Sequence, residues 1–230
     1  EYGNSEKIVI GLEGHGREDV NESIDTSRTV GWYTSLYPLL LDLKNNSDLS
    51  DSIKSVKEQI RKIPDKGIGY GVLKYLNNEK YLNTENIENN LTKNENWDIV
   101  FNHLGQLDNV VSSGKWLSGA DEPSGSSTAK ESAVRNKIAV NGRVHKNELT
   151  LNWSYSTLHF ENETIDKLIE KYQTNLESII SHCIKTQKET GEIYTPSDYS
   201  LGDEINFEEL DKFLDDDFKG KPRREAIEGI

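Results

Sequence analysis

The stretch LEGHGREDVNESIDTSRTVGWYTSLYP, residues 12–38, sets two acidic residues, a histidine and an arginine directly after the apolar run 8–10. This apolar, β-rich run predicts a buried strand at residues 7–12. A strand that ends in charged side chains delivers them to an edge of its sheet, where clefts form. Gly14 and Gly16 lack a Cβ atom, so a ligand or another backbone segment can approach closely there. From these residues alone, a polar turn and a ligand-binding cleft both stay open.

The acidity of the chain restricts its partners. The 230 residues carry a formal net charge of −13, and 33% of them are hydrophobic. This length suits one large domain or two small ones. Nucleic acids and anionic membranes bind basic patches, so the charge argues against both. We find no apolar run of membrane-spanning length, no nucleophile elbow, no phosphate-binding loop and no metal-ligand spacing, so we expect no bound metal or cofactor.

The counts of cysteine and methionine bear on compartment and completeness. The single cysteine, Cys183, allows no internal disulfide and fits a cytosolic protein. It lies in the apolar stripe of a predicted helix, so we expect it in the core. The chain contains no methionine, and we therefore expect it to be a piece of a longer protein.

Hydrophobic periodicity predicts both strands and helices. Strands are expected at residues 7–12, 29–41, 97–104, 138–144 and 149–154, with the last two joined by a turn at 145–148. Pro38 argues against a central position for the second strand. Helices are expected at 53–63, 72–76, 164–185 and 207–214, the first capped by Ser50 or Asp48 and ended by Pro64. Residues 77–96 are expected to form an exposed short helix or loop, and residues 112–132 a long loop.

Four phrases occur in a fixed order: EGHGRE (13–18), SRTVGWYTSLYP (27–38), KGIGYG (66–71) and FNHLGQ (101–106). The series resembles the epimerization domain of nonribosomal peptide synthetases, within the condensation-domain superfamily. The later phrases WSYS, SHC and TPSDYS agree with it, so the resemblance covers nearly the whole chain. The HHxxxDG motif, which the family carries in its first half, has no match here.

The resemblance implies a chloramphenicol-acetyltransferase-like fold, in which two α/β lobes form a V around a cleft. Residues 1–218 would be the C-terminal lobe, a mixed β-sheet covered by helices, and residues 219–230 a polar tail or linker. The histidine-bearing N-terminal lobe would be missing, so we expect this chain alone to be inactive. The implied partner is a cytoplasmic peptidyl carrier protein, which presents the substrate on its 4′-phosphopantetheine arm.

The implied reaction converts an L-aminoacyl or L-peptidyl thioester to the D form. A base removes the proton on the α-carbon, and an acid returns one to the opposite face. The resemblance implies that Glu13 and a histidine of the missing lobe form this pair. A carboxylate in a narrow, partly dry cleft has a raised pKa, which suits it to proton transfer near neutrality.

His103 is a second candidate catalytic residue, because it stands where the family has a tyrosine. Imidazole can donate a hydrogen bond as a phenol does, and it titrates near pH 7. A neutral change of packing is equally open. The candidates for substrate positioning are His15, Arg17, Asn102 and Tyr37. Arg17 and Glu18 also have a structural reading, as an ion pair or as hydrogen-bonding groups that hold their loop.

Two other functions stay open. A condensation domain that forms peptide bonds would share the fold, but such domains carry a different sequence, without the glutamate, at EGHGRE. A non-catalytic docking module for a carrier protein is the third reading. The predicted helix 53–63 has a charged face that is either solvated or a contact for an acidic carrier protein. That face carries Lys54, Lys57, Glu58, Arg61 and Lys62.

Overall fold

A computed structural model of the chain describes residues 6–18, 23–43, 48–76, 97–107, 136–191 and 193–199, with isolated residues between 122 and 129 and between 205 and 212. The chain divides into two compact units, Glu1–Asp42 with Ile63–Glu170 and Leu43–Lys62 with Lys171–Ile230. Within the described ranges, no helix has the length and apolarity needed to cross a bilayer. The predictions for 77–96, 112–132 and the tail 219–230 lie wholly or mostly outside them, as do four of the eight residues of the predicted helix 207–214.

The first unit is built on a five-stranded mixed sheet. Its strands are β1 (Lys7–Gly14), β2 (Ser35–Asp42), β3 (Ile99–Gln106), β4 (Ile138–His145) and β5 (Glu148–Tyr155). They lie in the order β2-β1-β3-β4-β5, where β1, β3 and β4 are parallel and the two edge strands are antiparallel to their neighbours. The carboxyl ends of the three central strands therefore meet at one edge of the sheet.

The predicted strands are present with shifted bounds. β2 begins at Ser35, six residues later than predicted, and Pro38 lies inside it. The edge position tolerates the proline, because one side of an edge strand has no ladder to complete. The hairpin from β4 to β5 turns through Lys146 and Asn147, whose φ angles are 51° and 61°. Two consecutive left-handed residues are what a two-residue hairpin turn requires.

A long helix, α3 (Asn162–Thr190), covers one face of this sheet with the first part of its length. Ile165 is 1% exposed and packs against Ile138 and Val140. Partly buried apolar residues surround these three: Ile99, Phe101, Leu151, Trp153, Tyr155, Phe160, Leu168 and Ile169. The expected packing of this helix against a sheet face is confirmed here.

The later turns of α3 differ from the prediction. Cys183 is exposed, as are Ile180 and Ile184, so the expectation that Cys183 lies in the core is wrong. The turns of α3 from Lys171 onward belong to the second unit. The apolar stripe is continuous in sequence, but an apolar periodicity alone does not bury every residue of a long helix.

The KGIGYG phrase is more helical than predicted. After a short 3₁₀ turn (Pro64–Gly67), α2 (Ile68–Tyr75) begins four residues before the expected start. Gly67 has a φ of 81° and makes the left-handed entry to the helix. Gly69 and Gly71 lie inside α2, where glycine is a poor helix former. Contact of α2 with β2 offsets that weak local preference.

In the second unit, α1 (Leu49–Arg61) confirms the helix predicted at 53–63. Its N-cap is Asp48, whose carboxylate accepts a hydrogen bond of 2.9 Å from the backbone N–H of Asp51. This is one of the two caps that the sequence left open. The carboxylate satisfies a backbone donor that the first helical turn cannot satisfy itself.

The TPSDYS phrase is anchored to α1 by charge. The carboxylate of Asp198 accepts hydrogen bonds from Lys57 and Arg61. Burial alone would raise the pKa of Asp198, but these two cations and the backbone N–H of Thr195 together hold it well below its ordinary value of 3.8. Lys57 and Arg61 belong to the helix face that was predicted to be either solvated or a contact for a carrier protein. In the structure both form ion pairs with Asp198 within the second unit.

The core contact of α3 can be tested with two isoleucines of the same helix. Ile165→Ala should lower the free energy of unfolding by about 3 kcal/mol, because it opens a cavity in a packed core. Ile180→Ala is the control, since Ile180 is 48% exposed, and it should change stability by less than about 1 kcal/mol. Chemical denaturation of the purified chain measures both. Equal effects would contradict the described packing.

The Asp198 anchor predicts a pH-dependent contribution to stability. A carboxyl group with a lowered pKa in the folded state stabilises above its unfolded pKa and loses that effect as pH falls. Asp198→Asn should therefore destabilise by about 2 kcal/mol at neutral pH, and by less near about pH 3. Asp166→Asn, an exposed aspartate of α3, is the control. A deficit that does not shrink with acid would refute the ionic anchor.

Candidate active site

Glu13 lies one residue before the end of β1, in register with Leu36 of β2. The side chain is half-buried, and burial raises the pKa of its carboxyl group above the ordinary value of 4.5. Among the described residues, nothing donates a hydrogen bond to this carboxylate or pairs with it. Such a carboxylate is more basic than one in water, and it can take up a proton without first breaking an ion pair.

Two asparagines extend from Glu13 across the central strands. The pairing of β1 with β3 ends at Leu12 and Phe101, and continuing its register by one residue sets Glu13 beside Asn102. Asn102 pairs in turn with Asn141 of β4. Both asparagines are half-buried, and their amide groups make no hydrogen bond with the described part of the chain. We call Glu13, Asn102 and Asn141 the polar row. Neighbouring positions in it are about 4.8 Å apart.

The polar row lies on the face of the sheet opposite α3. Phe101 and Val140, which precede the two asparagines, belong to the core under that helix, and successive residues of a strand point to opposite faces. On the row's own face, Trp97 covers Gly11, two residues before the carboxylate. A Cβ atom at Gly11 would come within 1.9 Å of the indole nitrogen. Trp97 therefore covers this face of the sheet at Gly11, on the N-terminal side of Glu13.

A cavity of about 530 Å³ lies on the β2 side of the row. Leu36, the neighbour of Glu13 in β2, is part of its wall, together with residues of α2. Tyr70 and Trp97 also line it, with their ring centroids 6.0 Å apart. The volume is typical of small-ligand pockets, which combine apolar walls with a few polar groups. Glu13 does not line the cavity itself, but its strand neighbour Leu36 does.

The structure does not bring His103 together with Glu13. His103 pairs with Gly142, one step beyond the two asparagines. A Cβ atom at Gly142 would meet the Nδ1 atom of His103 at 2.9 Å and Leu151 at 3.0 Å. Because Leu151 packs against the core under α3, His103 lies on the opposite face from the polar row. The catalytic role of this exposed histidine stays a prediction.

Tyr37 also lies on the α3 face of the sheet, since it pairs with Leu12. It is buried, and a Cβ atom at Gly67 would come within 2.2 Å of its ring. Burial raises the pKa of the phenol above its ordinary value, and the nearby carboxylate of Glu18 adds to the rise. The ring fills the space under the Gly67 turn, and its predicted role in positioning the substrate has no test here.

Arg17 holds the loop that follows it. Its guanidinium group donates hydrogen bonds to the backbone carbonyl oxygens of Thr26 and, at 2.8 Å, Thr29. The same group lies 4.0 Å from the centre of the Tyr33 ring, a favourable cation–π distance. These contacts bear out the loop-holding alternative for Arg17. Its role in positioning the substrate remains a prediction.

Glu18 joins the EGHGRE phrase to the KGIGYG phrase. Its Oε2 atom accepts a hydrogen bond of 2.7 Å from the ammonium group of Lys66, 48 residues away. Its Oε1 atom lies 3.1 Å from Nε2 of His15, while Nδ1 of His15 accepts from the backbone N–H of Arg17 at 3.0 Å. Sequence reasoning missed Lys66, because no local pattern marks a contact between two separate turns.

Sequence reasoning also missed Asn141. One signal was available, since an asparagine interrupts the apolar residues at 138–140 of the predicted strand. Asparagine is depleted in strands, which marks this one as unusual. Its place beside Asn102 nevertheless depends on the parallel pairing of β3 with β4, which periodicity alone does not specify.

The chain matches the model of the condensation domain family over residues 1–198. It is 41% identical over 225 residues to tyrocidine synthase 1 of Brevibacillus parabrevis, covering 94% of this chain and 20% of that protein. Identity to gramicidin S synthase 1 of Brevibacillus brevis is 40% over 225 residues, with 94% and 19% covered. Surfactin synthase subunit 1 of Bacillus subtilis is 36% identical over 216 residues, with 94% and 6% covered. The chain spans about a fifth or less of each relative.

A solved structure is similar as well. The crystal structure of the epimerization domain from the third module of tyrocidine synthetase B aligns with a TM-score of 0.65 and 34% identity, covering 79% of this chain and 38% of that one. The predicted fold class, a mixed β-sheet with helices of the chloramphenicol-acetyltransferase-like type, is confirmed by this similarity. Together with the family match over residues 1–198, it shows that the chain belongs to the condensation domain family of nonribosomal peptide synthetases.

Proposed function

We propose that this chain is the C-terminal lobe of an epimerization domain, in which Glu13 exchanges a proton with the α-carbon of an L-aminoacyl or L-peptidyl thioester. The supporting observation is the state of its carboxylate. It is half-buried with a raised pKa, has no partner among the described residues, and stands at the carboxyl end of a central strand. A general acid or base works best when its pKa lies near the working pH, and burial moves Glu13 in that direction.

The mechanism needs a second proton-transfer group and a donor for the developing negative charge. Removing the α-proton places charge on the thioester oxygen, and a fixed hydrogen-bond donor stabilises it. Asn102 follows Glu13 in the row and offers an amide N–H group. The second proton-transfer group in this proposal is the histidine of the N-terminal lobe, acting on the opposite face of the substrate.

The substrate in this proposal arrives covalently attached to the 4′-phosphopantetheine arm of a peptidyl carrier protein in the cytoplasm. Proton removal and return consume no oxidant, reductant or nucleotide, so the lobe itself needs no resident cofactor. The similar solved structure is titled an epimerization domain, and this chain covers 38% of it. That share fits one lobe of a two-lobed domain.

A condensation domain is the second candidate, because the matching family model carries that description. Such a domain would use the same cleft to join an amine to a thioester. The half-buried carboxylate of Glu13, which has no partner in the described part of the chain, favours epimerisation, since proton abstraction from carbon requires a strong, well-placed base. A docking module without catalysis would need no such carboxylate.

Glu13→Gln in the complete two-lobed domain separates these functions. The amide cannot exchange the proton, so the rate of α-proton exchange on a carrier-bound aminoacyl thioester should fall about 10²- to 10⁴-fold. Binding of the carrier protein should be unchanged. Solvent deuterium incorporation into the substrate, read by mass spectrometry, measures the exchange. Glu148→Gln, at an exposed glutamate of β5, is the control and should retain the activity of the parent.

The unfolding temperature of Glu13→Gln shows whether this variant is folded. A raised pKa means that the folded state disfavours the ionised carboxyl group, so its stability falls as pH rises through that pKa. Glu13→Gln should therefore unfold at the same or a higher temperature at neutral pH. Unchanged exchange in this variant would refute the acid–base role. Peptide-bond formation without exchange in the parent would instead support the condensation reading.

The two-lobe mechanism predicts that the present chain is inactive alone. One proton-transfer group cannot both remove a proton and return one to the opposite face, so no inversion should occur. Incubating the isolated chain with a carrier-bound L-aminoacyl thioester and separating the enantiomers after hydrolysis tests this. The complete domain is the positive control. Formation of the D form by the isolated chain would show that the proposed pairing is wrong.

A further inference from the structure

We propose that Asn141 is a further substrate-positioning residue, and that it acts with Asn102 to hydrogen-bond successive secondary amide groups of the substrate. This inference rests on the proposed function, because it takes the polar row as the place where the thioester lies. The two asparagines occupy one row on adjacent parallel strands. They share that row and that face of the sheet with Glu13.

The amide of Asn141 is open to a ligand. The residue stands between two buried residues of β4, Val140 and Gly142, and is itself half-buried. Its amide makes no hydrogen bond with any described residue, and its polar atoms are not fully buried. Asparagine is also a poor strand residue. A ligand that forms hydrogen bonds with this amide would explain its place in the strand.

The positions of the row are about 4.8 Å apart, somewhat more than the 3.6 Å or less between successive amides of an extended peptide. Asn102 lies about 5 Å from Glu13, and Asn141 about 10 Å, since neighbouring strands are about 4.8 Å apart. A carboxamide side chain both donates and accepts hydrogen bonds, so it complements a secondary amide, which does the same. With the α-carbon at Glu13, amides at these two distances fall opposite Asn102 and Asn141.

Two parts of the proposed substrate carry such amides. The peptide upstream of the reacting residue has one amide per residue, and the phosphopantetheine arm has two. The shared chemistry is the secondary amide, and the direction in which the substrate lies along the row decides between the sources. Trp97 covers the sheet at Gly11, two residues before Glu13. A ligand at the carboxylate is therefore excluded from that part of the sheet and can extend along the row toward Asn102 and Asn141.

The test measures binding, so that it does not depend on catalysis. The complete two-lobed domain and its Asn141→Ala variant are titrated with three carrier proteins. One bears only the phosphopantetheine arm, one an aminoacyl group in a stable amide linkage, and one a tetrapeptidyl group in the same linkage, which is long enough to place an amide about 10 Å from the reacting α-carbon. Loss of one amide contact should weaken binding about fivefold. Asn152→Ala is the matched control, since Asn152 continues the same row on β5 but is exposed.

The pattern across the three carriers identifies the source. Weaker binding of all three by Asn141→Ala assigns the contact to the arm, and weaker binding of the tetrapeptidyl carrier alone assigns it to the peptide. Asn141→Thr, which suits a strand better, should give the same pattern, and thermal unfolding verifies that both variants fold. Affinities within twofold of the parent for every carrier would overturn the inference.

Kinetics separate this inference from the proposed function. With the thioester substrate, Asn141→Ala should raise KM and leave kcat nearly unchanged, because the contact is made equally in the ground state and the transition state. Glu13→Gln should lower kcat and leave KM nearly unchanged. Loss of exchange in Glu13→Gln together with normal affinity and KM in Asn141→Ala would refute this inference alone. Normal exchange in Glu13→Gln with weakened binding in Asn141→Ala would refute the acid–base role alone.

Discussion

The parallel pairing of β1 with β3 and of β3 with β4 is the constraint on which the candidate site depends. It brings residues 13, 102 and 141 into one row on one face of the sheet. Because side chains alternate along a strand, a slip of one residue in either pairing would turn an apolar residue into the row and a polar one into the core. The core under α3, centred on Ile165, therefore fixes the register and the site together.

Among the described residues, the charged groups that follow β1 leave the carboxylate of Glu13 unengaged. Arg17 is occupied by backbone carbonyl groups and the Tyr33 ring, while Glu18 takes the ammonium group of Lys66. An opposite charge beside Glu13 would lower its pKa, whereas burial acting without such a partner raises it. The EGHGRE phrase thus contains one carboxylate suited to proton transfer and several groups that organise the surrounding loops.

The family phrases have separate physical roles. Asp198 in TPSDYS belongs to the second unit and anchors that phrase to α1 of the same unit through Lys57 and Arg61. In KGIGYG, Gly67 provides the left-handed entry to α2 and covers Tyr37. Both phrases support the scaffold, in contrast to the strand ends of the polar row. The ordered motifs therefore identified the family, but they did not distinguish the candidate site residues from the residues that stabilise the scaffold.

The sequence by itself determined the local structure. Hydrophobic periodicity, helix caps and turn residues are patterns that involve only neighbours within a few positions. These patterns located β1, the β4–β5 hairpin and α1. The ordered motifs added the family and directed attention to Glu13. Tertiary structure alone decided that His103 lies on the other face, that Cys183 is exposed and that Asn141 joins the row. Those outcomes depend on which strands pair, in which register, and which turns of a long helix are packed, and the packing of the whole core determines these.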